Sequence, residues 1–234
     1  MSVTTKALGQ DDADDKKTIL LKSTFNHDEK FTEWSMEVCR PDAITVSKKV
    51  SRKGRYSARV EFAKTDPLLY NGFMRAELKQ KFPSDTTGEL WYGFSHYLED
   101  WVSDPNPEVV AQWHEIPDFD LGETWRSPPI SLEIRNNKYT VKVLWASNAV
   151  NTNQTKDGEM FYDIGPVKKN VWVDWVFHIK FRYDDTGVLE VWKNKKKVLT
   201  RYGPNSYNDK HWPYFKLGIY KWPWAGGGSN SPES

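Results

Sequence analysis

Three short segments carry polar side chains at alternate positions, the spacing that places side chains on one face of a β-strand. Arg75 and Glu77 alternate in the first segment, and Gln112 and His114 alternate in the second. The third segment, 214–220, reads Tyr-Phe-Lys-Leu-Gly-Ile-Tyr. Its Phe, Leu and Ile share one face and its Tyr, Lys, Gly and Tyr share the other. We therefore predict that one face joins the core and that the other forms a polar site.

The side chains of the polar face could bind an anion and move protons. Arg75 offers a planar guanidinium that pairs with a carboxylate, and Gln112 could hydrogen-bond the same group. His114 and Tyr220 are the candidates for proton transfer. A face of Tyr, Lys, Gly and Tyr is also suited to gripping a sugar polymer.

The elements that must position these residues are predicted to be strands. Polar and apolar residues alternate with period two through 171–181, the pattern of a half-buried antiparallel strand. Further strands are predicted over 56–62, 74–82, 90–98, 130–135, 139–144, 187–193 and 197–199. Helical signals are scarce. The sequence therefore predicts an all-β fold, a jelly-roll sandwich of two antiparallel sheets with a concave groove suited to an extended polymer.

Composition narrows the class of protein. The 234 residues carry a formal net charge of +1, which argues against a nucleic-acid partner. A mean hydropathy of -0.74 and the lack of a long apolar run predict no membrane partner. An aromatic content of 15% predicts a folded core. We predict one domain over 19–224, with flexible tails at 1–18 and 225–234.

The three polar segments resemble the signature strands of a known enzyme family. Arg-Ala-Glu-Leu at 75–78, Gln-Trp-His at 112–114 and the 214–220 segment are similar to those of the jelly-roll alginate lyases of polysaccharide lyase family 7. Ala76, Trp113 and Leu217 depart from that pattern. Residues 125–132 and 202–209 look more like the family 20 glucuronan lyases and the heparin-lyase-like group. The resemblance covers about residues 20–224.

The resemblance implies an endo-acting lyase that cleaves a 4-linked uronic-acid polysaccharide, and β-1,4-glucuronan is the expected substrate. The reaction would be a β-elimination that leaves 4,5-unsaturated uronate ends. Tyr220 would be both base and acid, because the C5 hydrogen and C4 oxygen of D-glucuronate lie on one ring face. A phenol needs a nearby cation to act as base, and Lys216, Arg75 or a protonated His114 could supply it. His114 would then neutralise the substrate carboxylate, or it would act as the base itself on a substrate with the opposite configuration at C5.

Other residues are expected to bind the substrate or an ion. The expected substrate-binding residues are Lys216, Tyr214, Lys221, Arg126, Asn205 and Tyr207. No cofactor is expected for the chemistry, and the metal content is left unknown. A structural calcium could bind through Asn205, Asn208 and Asp209 or through Asp184 and Asp185, although turn formation explains the same residues. The expected partner is an anionic polysaccharide. The protein is expected to be a monomer that is secreted or periplasmic.

Three alternatives remain. An alginate or heparin-type lyase could use the same scaffold. A non-catalytic carbohydrate-binding module would need the groove and its aromatic residues, but not Gln112, His114 and Tyr220 in register. A glycoside hydrolase would need two carboxylates on one strand face. That reading is disfavoured, because Pro117 and Phe119 share the face of Glu115 and proline interrupts a central strand.

Overall fold

The structure, a computed structural model, describes residues 2–7, 18–25, 31–68, 72–81, 87–102 and 105–225. Fifteen strands occur in these ranges: β1 Ser2–Ala7, β2 Thr18–Ser23, β3 Trp34–Val38, β4 Ile44–Ser47, β5 Ser57–Val60, β6 Arg75–Gln80, β7 Glu89–Tyr97, β8 Glu108–Ile116, β9 Ile130–Arg135, β10 Lys138–Trp145, β11 Gly158–Pro166, β12 Trp172–Lys180, β13 Val188–Lys193, β14 Lys196–Tyr202 and β15 His211–Tyr220. A 3₁₀ turn at Phe119–Leu121 and a helical turn at Trp222–Ala225 complete the described elements.

Antiparallel pairing assembles these strands into two large sheets and a hairpin. The groove sheet has the order β11-β10-β9-β8-β15-β6-β3, and the second sheet has the order β14-β13-β12-β7-β1-β2. The strands β4 and β5 form the hairpin. The prediction of an all-β jelly roll is confirmed. The three polar segments lie on β6, β8 and β15, which are neighbours in the groove sheet.

The core lies between the two sheets and is rich in aromatic rings. Trp113 on β8 and Phe215 on β15 are fully buried, with ring centroids 5.2 Å apart. Across the sandwich, Trp113 meets Phe177 of β12 at 4.6 Å. Because side chains alternate along a strand, burying Trp113 turns Gln112 and His114 to the opposite face. The core thus sets the orientation of the polar face.

The sequence did not reveal every element. Residues 2–7, which we predicted to be part of a flexible tail, form β1 and pair with β7. That prediction is wrong for these six residues, whose run of Val3, Thr4 and Thr5 has high β-propensity. Thr18 and Ala225, the inner ends of the predicted tails, belong to β2 and to the helical turn, and residues 1, 8–17 and 226–234 lie outside the described residues. The predicted strand 74–82 ends at Gln80 in the structure, and residue 82 is outside the described part.

Within the described ranges, no helix has the length and apolar character needed to cross a membrane.

Candidate active site

A groove of about 730 Å³ runs over the face of the groove sheet that points away from the core. Side chains from β3, β6, β8, β9, β10 and β15 line it, together with the segment 125–128. Its cationic residues outnumber its acidic ones: Arg75, Lys79, Arg126 and Lys142 against Glu37 and Glu133. Each of the four cations also lies within 4 Å of a carboxylate, so they would meet a polyanion as members of ion pairs.

The close approach of β6 and β15 brings the first and third polar segments together. Tyr220 lies opposite Arg75, and Gly218 lies opposite Glu77. A Cβ added to Gly218 would stand 2.2 Å from the backbone oxygen of Ala76, closer than real contacts allow. Glycine at this position is therefore required by the close approach of the two backbones, not by the substrate.

Arg75 and Tyr220 are in direct contact. The guanidinium carbon of Arg75 lies 4.1 Å from the centre of the Tyr220 ring. The rings of Phe73 and Trp222 flank Tyr220, at centroid distances of 6.0 and 5.7 Å. Burial raises the pKa of the Tyr220 phenol, and the positive charge of Arg75 opposes that rise. The phenol is therefore protonated at rest, and the neighbouring cation favours its ionised form.

Beneath this pair, two cations and two carboxylates form a compact ionic network. Arg75 Nη1 lies 2.9 Å from Glu37 Oε2 and 3.3 Å from Glu77 Oε2. Lys216 Nζ lies 2.6 Å from Glu37 Oε2 and 2.7 Å from Glu77 Oε2. Gln112 donates its side-chain amide to Glu77 as well. The network fixes the position of Arg75 and leaves its Nε without a hydrogen-bond partner among the described residues.

The network places two predicted substrate ligands below the groove surface. Gln112 is fully buried and Lys216 is buried too, and neither lines the groove. We expected both side chains to touch the substrate. The structure differs because both side chains bind Glu77 below the surface, so their contacts support Arg75 instead.

Glu37, on the edge strand β3, carries the clearest electrostatic signature of the site. Burial raises the pKa of its carboxyl, but the charges and hydrogen bonding of Lys216, followed by the charges of Arg75 and Lys79, outweigh burial and lower that pKa to about 2. The carboxylate is therefore ionised through the whole physiological range.

His114 occupies a different part of the groove from Tyr220. It lies opposite Tyr214 in the β8–β15 register, whereas Tyr220 lies opposite Val109. The two predicted proton-transfer residues are thus separated by roughly 15–20 Å of strand at their Cα atoms. The expectation that the guanidinium, amide, imidazole and phenol converge on one sugar acid is not met, because the strand register carries His114 away from Arg75.

The surroundings of His114 are aromatic and acidic. Its ring stacks on Tyr214, with centroids 5.7 Å apart. Its Nδ1 lies 2.8 Å from Oε2 of the buried Glu115. Burial, followed by nearby carboxylates led by Glu37, raises the pKa of Tyr214. Although Lys79 Nζ lies 4.6 Å from the centre of its ring, the strongly raised pKa holds Tyr214 as a neutral phenol and makes it a weaker candidate base than Tyr220.

Arg126 lines the groove at the His114 end, and the buried Tyr207 lies behind it. The Arg126 guanidinium is bonded to Glu123 at 2.6 Å and to Asp209 at 2.7 Å. The Tyr207 ring lies under that guanidinium, 4.5 Å away, and its hydroxyl donates to the backbone oxygen of Ser127 at 2.9 Å. These contacts give Arg126 and Tyr207 a supporting place rather than a free surface.

Two further predicted substrate ligands do not line the groove. Lys221 is 1% exposed and pairs with Glu108 at 3.0 Å. Asn205 is fully buried, and its amide donates to the backbone oxygens of Lys180 and Val188, at 3.0 Å each. Substrate binding by Lys221 and Asn205 is therefore contradicted, because buried pairing and backbone bonding already use their polar groups.

The residues named for calcium do not fit a ready cation site. The side-chain oxygen of Asn205 accepts a hydrogen bond from the Arg182 backbone, and Asp209 pairs with Arg126. Asp184 accepts hydrogen bonds from Thr186 within its own turn. In the described part of the chain, no group of three or more His, Cys, Asp or Glu residues is placed to hold a metal ion. Turn formation and ion pairing account for these side chains.

Four charged groove residues were missed at the level of sequence. Lys79 lies on β6, within the predicted strand 74–82. Glu37 lies on β3, and Glu133 and Lys142 face each other from β9 and β10, with Nζ 3.4 Å from Oε1. The signal was present for Lys142, because 140–143 alternates Thr-Val-Lys-Val within a predicted strand. Glu37 was missed because β3 itself was not predicted.

Known structures share this architecture. The endo-β-1,4-glucuronan lyase of the fungus Trichoderma reesei aligns with a TM-score of 0.70 and 23% identity, over 84% of this chain and 83% of that one. A family 7 alginate lyase, A1-II′, solved with product, aligns with a TM-score of 0.54 and 14% identity, over 83% of this chain and 88% of that one. No curated protein sequence matches the chain.

The two-sheet jelly roll thus carries a groove lined by two tyrosines and by more cationic than acidic side chains. The family model for polysaccharide lyases matches residues 20–234, so the chain belongs to the polysaccharide lyase family. The protein is therefore a lyase, and its substrate is a polysaccharide.

Proposed function

We propose that this lyase cleaves β-1,4-glucuronan within the chain by β-elimination, with Tyr220 as the proton-transfer residue and Arg75 as the carboxylate anchor. The observation that carries the proposal is the 4.1 Å contact between the Arg75 guanidinium and the Tyr220 ring. The carboxylate and the acidic hydrogen of a uronate both belong to C5. The group that binds the one must therefore be a neighbour of the group that removes the other.

The contact suits a reaction in which one residue handles both protons. The Tyr220 oxygen takes the C5 proton, the electron pair of that bond forms the C4–C5 double bond, and the bond from C4 to the glycosidic oxygen breaks. Tyr220 then returns the proton to the leaving oxygen, so no water is consumed. Glucuronate suits this scheme because its C5 hydrogen and C4 oxygen share a ring face.

Arg75 has two tasks in this scheme. Its charge offsets part of the burial effect that raises the Tyr220 pKa, and so lowers the cost of forming the phenolate. Its guanidinium, which lines the groove, binds the substrate carboxylate, whose charge grows as the C5 proton leaves. Glu37 and Glu77 hold the guanidinium through Nη1, so its orientation is fixed before the substrate binds.

The substrate and the mode of action follow from the groove as a whole. Cations in excess over acids support a polyanion, and the fungal glucuronan lyase of the same fold supports glucuronan. A groove lined from Trp222 to Trp125 has room for several sugar rings on both sides of a bond, which supports cleavage within the chain. Such a polymer would be met outside the cytoplasm by a secreted or periplasmic monomer.

Product ultraviolet absorbance over a panel of glucuronan, polymannuronate, polyguluronate, hyaluronan and heparin tests the proposal. The expected result is fastest release of unsaturated ends from glucuronan. Tyr220→Phe should lower kcat by roughly 10²–10⁴-fold, whereas His114→Gln should retain more activity. Faster cleavage of polyguluronate with His114 essential would transfer the base role to His114 and overturn both assignments. Binding without release of unsaturated ends would indicate a carbohydrate-binding module.

A further inference from the structure

The groove ends, beyond His114, in two aromatic rings that face solvent. Trp125 is 54% exposed and Phe119 is 56% exposed. Their ring centroids lie 5.5 Å apart, edge to face, and Trp125 meets the His114 ring at the same distance. Trp125 also lines the groove. These two residues, which we call the aromatic platform, are therefore continuous with the groove.

The loop that carries the platform is held by buried charges. The carboxylate of Glu123 is fully buried and accepts hydrogen bonds from Asp118 N at 2.9 Å, Arg126 Nη1 at 2.6 Å and Asn151 N at 2.9 Å. The backbone amide of Arg126 also donates to Glu115, at 2.7 Å. The loop owes its shape to these polar contacts, so the exposed rings are not needed to fold it.

Exposing large aromatic rings forfeits hydrophobic stabilisation, so a fixed, solvent-facing pair on a groove indicates a binding surface. We propose that the aromatic platform is an extension subsite that stacks against a sugar ring of the bound polysaccharide, several rings away from the bond that is cleaved. This inference rests on the proposed reaction at Arg75 and Tyr220. The occupant is the substrate chain itself, because the platform continues the groove that holds it.

The position of the platform determines which substrates can reach it. Tyr214, next to His114, and Tyr220 are six residues apart on β15, roughly 20 Å of strand. A polymer bound at Tyr220 spans that distance, but a short oligosaccharide does not. The charged centre of the groove recognises carboxylates, whereas the platform offers an apolar face to the C–H face of a sugar ring. The platform therefore adds affinity for long chains without touching the reacting atoms.

Kinetics on glucuronan polymer and on its unsaturated trisaccharide test the inference. Trp125→Ala should raise KM for the polymer about three- to tenfold, the effect of one lost ring contact. It should leave kcat for the polymer and kcat/KM for the trisaccharide within about twofold. Trp125→Phe, which keeps a ring, should recover most of the affinity.

Tyr202→Ala is the matched control, since Tyr202 is 72% exposed on β14 of the other sheet and should change neither substrate's kinetics. Thermal unfolding of each variant checks that the fold is intact. An unchanged polymer KM in Trp125→Ala, or an equal loss on both substrates, would overturn the platform. If another polymer of the panel proves the better substrate, the proposal of glucuronan as substrate fails but the platform proposal does not. The same variants then test the platform on that polymer and its trisaccharide.

Discussion

Removing the charge of Glu77 should destabilise the protein far more than removing a surface carboxylate. Glu77 is 1% exposed and is shared by Lys216 at 2.7 Å and Arg75 at 3.3 Å. Glu77→Gln would leave two buried cations with Glu37 as their remaining carboxylate in the network. Breaking a buried ion pair from one side costs about 3–5 kcal/mol, because a charge is left uncompensated.

That loss is measurable by urea and thermal unfolding. For a domain of this size, each kcal/mol lowers Tm by about 2–4 °C, so Glu77→Gln should lower Tm by roughly 6–20 °C. The matched control is Glu61→Gln, since Glu61 pairs with Arg59 where both side chains are more than 40% exposed. A surface pair of that kind contributes less than about 1 kcal/mol.

A double variant separates the electrostatic explanation from simple loss of packing. Adding Lys216→Met to Glu77→Gln removes one of the two stranded cations and leaves Arg75 paired with Glu37. The double variant should therefore be more stable than Glu77→Gln alone. Additive losses in the double variant, or a Glu77→Gln variant as stable as Glu61→Gln, would refute the reasoning.

Three further predictions follow from the same contacts. The pKa of Glu37 is about 2 when folded against an ordinary value of 4.5, so its stabilisation is present above pH 4.5 and is lost as the pH falls towards 2. Acid titration of unfolding should therefore show a shallower loss of stability in Glu37→Gln than in the wild type. Gly218→Ala should lower the free energy of unfolding by about 1–3 kcal/mol and remove most activity, because the added Cβ would clash with the Ala76 backbone. A Gly218→Ala variant as stable as the wild type would contradict the close approach of β6 and β15. Tyr220→Phe should lower kcat by roughly 10²–10⁴-fold while unfolding at nearly the wild-type temperature, and near-normal turnover would remove Tyr220 from the mechanism.

Much of the architecture was predictable because strand periodicity is a local signal. The alternation around Trp113 and Phe215 correctly assigned one face to the core and the other to the groove. The pairing of Tyr220 with Arg75 was not available from periodicity, since register between strands far apart in sequence depends on packing and turn geometry. It was the resemblance to known lyases that suggested they belong to one site.

The sequence could not show which polar side chains pair with each other in the folded protein. A lysine or glutamine on the polar face looks like a substrate ligand until its partner is known. The sequence predicts Lys216 and Gln112 as substrate ligands, yet both bind Glu77 beneath the surface. Lys221 was misassigned for the same reason, because Glu108 is more than a hundred residues away in the sequence.

The most direct test of elimination is the mass and end structure of the products. Glucuronan digested by the wild-type enzyme should give fragments whose new non-reducing ends are unsaturated uronates and whose summed mass equals that of the substrate, because the leaving oxygen receives only a proton and no water is added. Saturated non-reducing ends, with one water gained for each bond cleaved, would show that water breaks the bond and would contradict the mechanism.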